Sequence, residues 1–365
     1  KLPEIVSCVL VSVILLGTGS AMGAGKKKAG PGFSDAAIKA AIQKGAAYLW
    51  SKQNDDGGWD AHGKPGGGHY YKTGPGAMAI YALLESGVSP QDKRMEKALR
   101  WLRSTPDPMA YSIGMRANAW EVANRTTNDK YKDILRDDTA RVIDSSLDGS
   151  FEYSTAGSPK RNGDNSTSQF GLLAMWAASL NDITIRNSTC KLCMGHWMRT
   201  QTPEGGWAYR GNTATRDTMT AAGIASMYVC IDNLHTQTFV KRPARVKDFK
   251  ELQTVQKAVD LLDKSFKGIK GSGLGAGGYY MYGIERVGLA CGYKYFNGKD
   301  WYKEGALHLL KTQKGGAWGE VYATAFSMLF LIRGQHPVLF NKLQYKGDWN
   351  NRPRALASLT RWMSK

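Results

Sequence analysis

Acidic side chains, cysteine and long apolar runs are scarce in this 365-residue chain. Asp and Glu total 31 against 49 Lys and Arg, leaving a formal charge of +18. Such a surface suits nucleic acid, anionic lipid or acidic glycans. No nucleic-acid-binding module accompanies the charge, so the expected partners are a membrane surface or an acidic polymer, not nucleic acid. Five cysteines are too few for a disulfide-dense scaffold. The main apolar run, residues 5–16, falls short of the ~20 residues that a membrane-spanning helix needs. The 42 glycines follow no Gly-X-Y period, which excludes collagen, and 42% hydrophobic residues exclude wholesale disorder. What is plentiful is aromatic: 11 Trp and 17 Tyr.

The run at 5–16 is followed by small residues (Gly17, Gly19, Ser20, Ala21, Gly23, Ala24), the pattern of a secretory signal peptide over residues 1–24. Lys26, Lys27 and Lys28 oppose translocation and keep a retained N-terminal anchor as the rival. Residues 25–34 read as a linker. The expected location is extracytoplasmic, periplasmic or secreted, or membrane-anchored if the segment is not cleaved.

Internal repetition is the strongest signal. Gln53-Asn-Asp-Asp-Gly-Gly-Trp59, Gln201-Thr-Pro-Glu-Gly-Gly-Trp207 and Gln313-Lys-Gly-Gly-Ala-Trp318 share Gln, a Gly pair and Trp. Asp148-Gly-Ser-Phe151 and Gly277-Gly-Tyr279 are weaker echoes. A helical pattern precedes and follows each clear copy. The leading patterns are amphipathic, with Gly45, Cys193 and Gly305 at one shared position and Tyr48, His196 and His308 at another. The trailing ones (76–87, 166–180, 219–230, 279–292, 322–334) are nearly apolar all round, which means burial. A degenerate unit fits at 95–104 and 111–123. Six hairpins result, with buried second helices inside and half-exposed first helices outside. Closing the array on itself removes the exposed end repeats of an open solenoid. The fold class is therefore all-α, an (α/α)6 toroid over residues 35–335 with a C-terminal extension at 336–365. The Gly pair suits a tight outer-to-inner turn, and the Trp is expected to pack on the next hairpin.

These Gln-polar-Gly-Gly-Trp repeats with paired helices resemble the squalene-cyclase and prenyltransferase repeat, the α/α toroid. Residues 279–288, 325–345 and 349–362 look closer to exported bacterial toroid proteins of unknown function. Larger members of that subset continue into a further domain, so the resemblance leaves open either a fragment with a downstream partner domain or protein, or a stand-alone toroid. It also implies two chemistries to look for. Terpenoid cyclases of the fold protonate an alkene with an Asp in an Asp-x-Asp-Asp-Thr-Ala pattern. The matching place here reads Ala214-Thr-Arg-Asp217-Thr218, with one Asp left, and Arg216 beside it would hold that carboxylate ionised. Prenyltransferases hold zinc through Asp, Cys and His, and no such set is found.

The remaining metal candidate is Cys190-x-x-Cys193-x-x-His196, which the repeat register also explains as packing. A disulfide from Cys230 to Cys190 or Cys193 competes with reduced, buried thiols, the favoured reading. No cofactor is expected. The outer-to-inner loops collect carboxylates, arginines and tyrosines on one mouth, suited to a polar polymer or peptide. Ligand-binding candidates are Trp59, Trp207, Tyr209, Arg210, Arg216, Tyr279, Tyr282, Arg286 and Glu320. Catalytic candidates are Asp217, Glu285 and Asp164, although Asp164 and Asp217 also sit where helix N-caps belong. Glu285-Arg286 interrupts an apolar helix, which reads either as ion pairing across the ring, with Asp217 or Arg216, or as a polar spot on the cavity wall. The leading expectation is an extracytoplasmic binding or scaffold module with its ligand or partner site at the loop mouth. The alternative is an enzyme, either a terpenoid cyclase-type isomerase or a lyase or hydrolase acting on an acidic polymer.

Overall fold

A computed structural model describes residues 33–65, 70–211, 213–241, 249–268, 278–333 and 345. The expected signal peptide, most of the linker and nearly all of the C-terminal extension lie outside the described residues. Pro31–Lys365 form one compact unit. Among the described residues there are twelve helices and one two-stranded ribbon, β1 Tyr295–Phe296 with β2 Lys299–Asp300. The outer helices are α1 Asp35–Ser51, α3 Lys93–Ser104, α5 Lys132–Asp144, α7 Asn187–Arg199, α9 Lys250–Ser265 and α11 Trp301–Thr312. The inner helices are α2 Gly74–Glu85, α4 Ala110–Asn124, α6 Asn165–Leu180, α8 Asp217–Lys241, α10 Gly278–Cys291 and α12 Val321–Arg333.

Each inner helix packs on the next, from α2 through α4, α6, α8, α10 and α12, and α12 returns to α2. This is the closed toroid of six hairpins. The inner helices hide almost every side chain: from Gly74 to Leu84 all of α2 is buried. The outer helices bury a single stripe, as in α3, where Met95, Ala98, Leu99 and Leu102 face inward.

The repeat motif works as a clamp. Gln201 donates one amide hydrogen to Gly205 O (2.7 Å) and the other to Thr254 O on the next outer helix, α9 (2.8 Å). Gln53 does the same toward Gly57 O (3.0 Å) and Arg94 O on α3 (3.4 Å). Gln313 binds Gly316 O (3.0 Å) and Ala41 O on α1 (2.9 Å), which joins the last hairpin to the first. The two glycines have different reasons. Gly57 and Gly205 lie at φ +96° and +99°, a conformation L residues avoid. Gly58 is excluded from carrying a side chain by contact, because a Cβ there would stand 2.1 Å from the Trp101 ring.

Among the motif tryptophans, Trp318 stands against the next hairpin as expected, beside Gly45 of α1 across the ring closure, whereas Trp207 stays within its own. Trp207 is fully buried, donates Nε1–H to Trp197 O in α7 (2.8 Å) and lies against Gly223 of α8, all within its own hairpin. Trp59 and Trp318 cap the carbonyls of Leu49 and Leu309 in the same way, each at 2.8 Å. An unsatisfied indole N–H would be costly in a core, and a carbonyl near the outer helix end, with a lone pair to spare, takes it up.

Replacing Gln313 by Leu removes both clamp bonds at the ring closure. The expected cost is about 1–3 kcal/mol of unfolding free energy in urea titrations. Gln53→Leu, whose inter-hairpin bond is longer, should cost less. An unchanged midpoint for Gln313→Leu would remove the clamp role.

Two elements differ from the sequence expectation. Helix α8 runs on to Lys241, so Cys230 sits in mid-helix and not at its end. Helix α5 carries no Gln-Gly-Gly-Trp signal. Its inward face holds Asp138, fully buried and paired with Arg116 of α4, where a hydrophobe would have given the usual period.

Candidate functional site

The connections from outer to inner helices gather at one end of the ring and bond to each other. Ala110 N–H donates to Tyr153 O (2.8 Å), Asn165 N–H to Tyr209 O (3.0 Å), and Asn165 Nδ2 to Ala208 O (2.8 Å). Below them, the first turns of the inner helices enclose a cavity of about 600 Å³ on the ring side of the mouth. Its described wall is aromatic and thioether: Tyr71, Tyr111, Phe170, Tyr209, Tyr279, Tyr322 and Phe326, with Met78, Met115 and Met219. Ser166, Thr218, His62 and Arg216 supply the polar part. The volume and the apolar lining with few polar groups are those of a small-molecule site.

The cavity floor is hydrogen-bonded. Tyr111 donates to Ser166 Oγ, which also meets the Tyr279 hydroxyl (2.9 Å). Gln169 donates to the Tyr279 oxygen and accepts from Arg286 Nη1 (3.2 Å). Burial pushes the Tyr71, Tyr111, Tyr209 and Tyr279 phenols well up, so these hydroxyls stay neutral. Beneath this layer the centre of the ring is filled. Arg333 bonds the Tyr81 hydroxyl and stands 3.6 Å from Glu285 Oε1, its guanidinium over the Trp176 ring at 5.7 Å.

These contacts redistribute the sequence candidates. Tyr209, Arg216 and Tyr279 line the cavity. Trp59 and Trp207 do not; both are buried behind it in their hairpins. Arg286 and Tyr282 form part of the layer below, with the guanidinium 5.6 Å over the Tyr282 ring. Glu285 and Arg286 pair with neither Asp217 nor Arg216, because Arg333 and Gln169 project from inner helices at the same depth. Glu285 is fully buried and neither carboxylate oxygen accepts a hydrogen bond. Burial pushes its carboxyl up to about 7, against the pull of Arg333 and Arg286.

Asp217 is exposed, is the first residue of α8, and accepts from Ser265 Oγ (2.9 Å) away from the cavity. Glu320 is exposed at the rim, 3.9 Å from His62. Arg210 is held by Glu152 (3.2 Å) and lies 3.8 Å from Asp164 Oδ2. Asp164 is the N-cap of α6, with Oδ1 accepting from Thr167 N–H (2.6 Å). It is fully buried, its Oδ2 accepts no hydrogen bond, and burial raises its carboxyl pKa above the ordinary range. The hydroxyls of Tyr153 and Tyr209 bond to each other near it.

Cys190, Cys193 and Cys230 are buried free thiols, with no disulfide between them. His196 Nε2–H donates to Asn165 Oδ1 (2.8 Å), and burial lowers its pKa to about 4. Among the described residues no group of three His, Cys, Asp or Glu side chains is placed to hold a metal ion. Sequence reasoning missed Tyr111, Phe170, Tyr322, Phe326 and the three methionines. Their helices are apolar on all sides, so periodicity could not tell the lumen face from the packed faces. The available signal was position: each falls in the first two turns of an inner helix.

No protein-family model and no curated protein matches the chain. Solved structures do resemble it. The GH76A alpha-1,6-mannanase from Salegentibacter sp. HEL1_6 superposes with a TM-score of 0.58 at 11% identity, over 82% of this chain and 98% of that one. An inactive variant of the same mannanase, in complex with alpha-1,6-mannotriose, gives 0.56 at 11% identity over the same shares. A single-substitution variant of the type II terpene cyclase MstE from Scytonema, in complex with its substrate geranylgeranyl dihydroxybenzoate, gives 0.53 at 12% identity over 81% and 97%. These likenesses are of fold: all are α/α toroids.

Proposed function

We propose that this chain is a squalene cyclase/prenyltransferase-type repeat protein that acts outside the cytoplasm as a binding module, holding a largely apolar small molecule in the cavity at its mouth. The observation that carries the reading is the lining. Seven aromatic rings and three methionines surround about 600 Å³ that opens toward the loops. Burying an apolar body there gains roughly 25 cal/mol per Å² of surface removed from water. The filled lower half of the ring gives the cavity a floor, so a ligand enters and leaves by the mouth. The extracytoplasmic location rests on the run at residues 5–16. N-terminal sequencing of the protein recovered from outside the cytoplasm tests it, and an uncleaved N-terminus in a cytosolic fraction would count against it.

The cavity reading is tested by filling the space. Thr218 sits half-buried on the cavity wall in the first turn of α8. Thr218→Trp should weaken uptake of an environment-sensitive apolar dye more than about tenfold, the loss of roughly 1.4 kcal/mol, with the melting temperature kept. Dye binding that survives this substitution would place the ligand elsewhere.

One observation favours an enzyme as a second reading. Asp164, buried with a raised pKa and with its Oδ2 3.8 Å from Arg210, near the Tyr153–Tyr209 hydroxyl pair, has the makings of a proton donor to a cavity-bound substrate. Asp164→Asn keeps the N-cap, so it should abolish any turnover while leaving dye binding intact. Turnover retained in that variant sinks the catalytic reading.

A further inference from the structure

Four polar residues share one side of the cavity wall, while His62 stands by the first and last hairpins, its ring against Tyr71 and Tyr322. Ser166, Tyr209, Arg216 and Thr218 come from the start of α6 and from the α7–α8 connection with the start of α8. Met78, Met115 and Phe326 come from α2, α4 and α12. A ligand with a uniform hydrocarbon surface would leave Arg216, in the first group, without a counter-ion among the described lining residues. An amphiphile would satisfy both.

Arg216 sets the charge of the head. It is the one Lys or Arg among the described lining residues. It has no ion-pair partner there, whereas its neighbour Arg210 is engaged by Glu152 and faces Asp164. Its position is fixed from both sides: its backbone N–H donates to Trp207 O (2.9 Å) and its carbonyl accepts from Thr220 N–H (2.8 Å). Its guanidinium stands 5.8 Å over the Tyr209 ring. Asp217, next in sequence, is taken up by Ser265. The neutral Tyr209 hydroxyl is an added hydrogen-bonding group on the same wall.

On the reading of the cavity as a small-molecule site, we propose that its ligand is an amphiphile with a single, singly charged oxyanion head, bound at Arg216 beside Tyr209, with its hydrocarbon body against Met78, Met115 and Phe326. One cation matches one negative charge. A diphosphate head would bring charges with no counterpart among the described lining residues. A guanidinium fits an oxyanion in a planar, two-point geometry, which gives the head its orientation.

The test compares equal chains with different heads on the full-length protein: dodecanoate, dodecyl phosphate, dodecan-1-ol and dodecyltrimethylammonium, by displacement of the apolar dye. Dodecanoate should bind at least about tenfold tighter than dodecan-1-ol, and raising the salt should narrow that gap. Dodecyl phosphate, carrying the larger charge, should bind no tighter than dodecanoate, and the ammonium should bind most weakly. Arg216→Gln should bring dodecanoate and dodecan-1-ol together while leaving dodecan-1-ol unchanged. Arg216→Lys should keep part of the difference. Equal binding of acid and alcohol to the parent protein, or a preference that survives Arg216→Gln, overturns the head-group assignment and leaves the cavity reading standing. Tighter binding of the phosphate overturns the single charge. Failure of all four probes, together with indifference of the dye to Thr218→Trp, overturns the cavity reading and this assignment with it.

Discussion

Arg116→Met should cost about 3–5 kcal/mol in equilibrium unfolding, among the largest effects of any single substitution in this chain. Arg116 and Asp138 are both buried, with Arg116 Nε 2.9 Å from Asp138 Oδ2. The arginine also donates Nη1 to Leu102 O (2.6 Å) and Thr105 O (2.9 Å), at the end of α3. Asp138 accepts further bonds from Trp120 Nε1 (3.0 Å) and Arg141 Nη2 (2.6 Å). One side chain thus joins three helices. Removing it strands a carboxylate without its main counter-ion, and leaves two carbonyls without donors. The double variant Arg116→Met/Asp138→Leu should recover much of the loss, because two well-packed hydrophobes often equal a buried pair. A single variant that loses under 1 kcal/mol, measured by urea titration, would show that water reaches this pair.

The second large effect is a pH dependence. Glu285 titrates near 7 in the folded ring, whereas an unfolded glutamate titrates near its ordinary 4.5. Between those values the folded state holds a proton that the unfolded state has released. Stability from this group is therefore fully present below about 4.5 and is lost as the pH rises through 7. The loss amounts to about 3 kcal/mol, from 1.36 kcal/mol per pKa unit. Glu285→Gln removes it. The variant's stability relative to the parent should therefore climb by about that amount from pH 4.5 to pH 8, as read from urea midpoints in parallel. His196, held neutral by burial, acts in the opposite direction below pH 6.5, but it is common to both proteins and cancels in the difference. A flat difference would mean that Arg333 keeps Glu285 ionised throughout.

The arrangement of buried charge also explains what the sequence hid. Glu285 and Arg286 stand out in a row of letters, yet their partners, Arg333 and Gln169, lie 48 and 117 positions away along the chain, as 333 − 285 and 286 − 169 show. Asp217, the one Asp that matches the cyclase-like Asp-x-Asp-Asp-Thr-Ala pattern, faces Ser265 instead of the cavity. Helix α5 escaped notice because an ion pair replaced the hydrophobe that marks an outer helix. Tyr209 and Arg216 were legible as site residues because they follow the motif Trp closely, on the connection that the motif folds onto the mouth.

By itself the sequence determined the toroid. A Gln that must place two amide hydrogens, a Gly that must take positive φ and an indole N–H that must find a carbonyl are local demands. They recur at the turns carrying Trp59, Trp207 and Trp318, and the helical patterns between these copies carry the count to six hairpins. The cavity was decided only by tertiary structure. Which face of an all-apolar helix looks into the lumen depends on how its neighbours rotate around it, and no period in one helix encodes that. The same holds for the charges in the centre, whose energies are set by partners that only ring closure brings within reach.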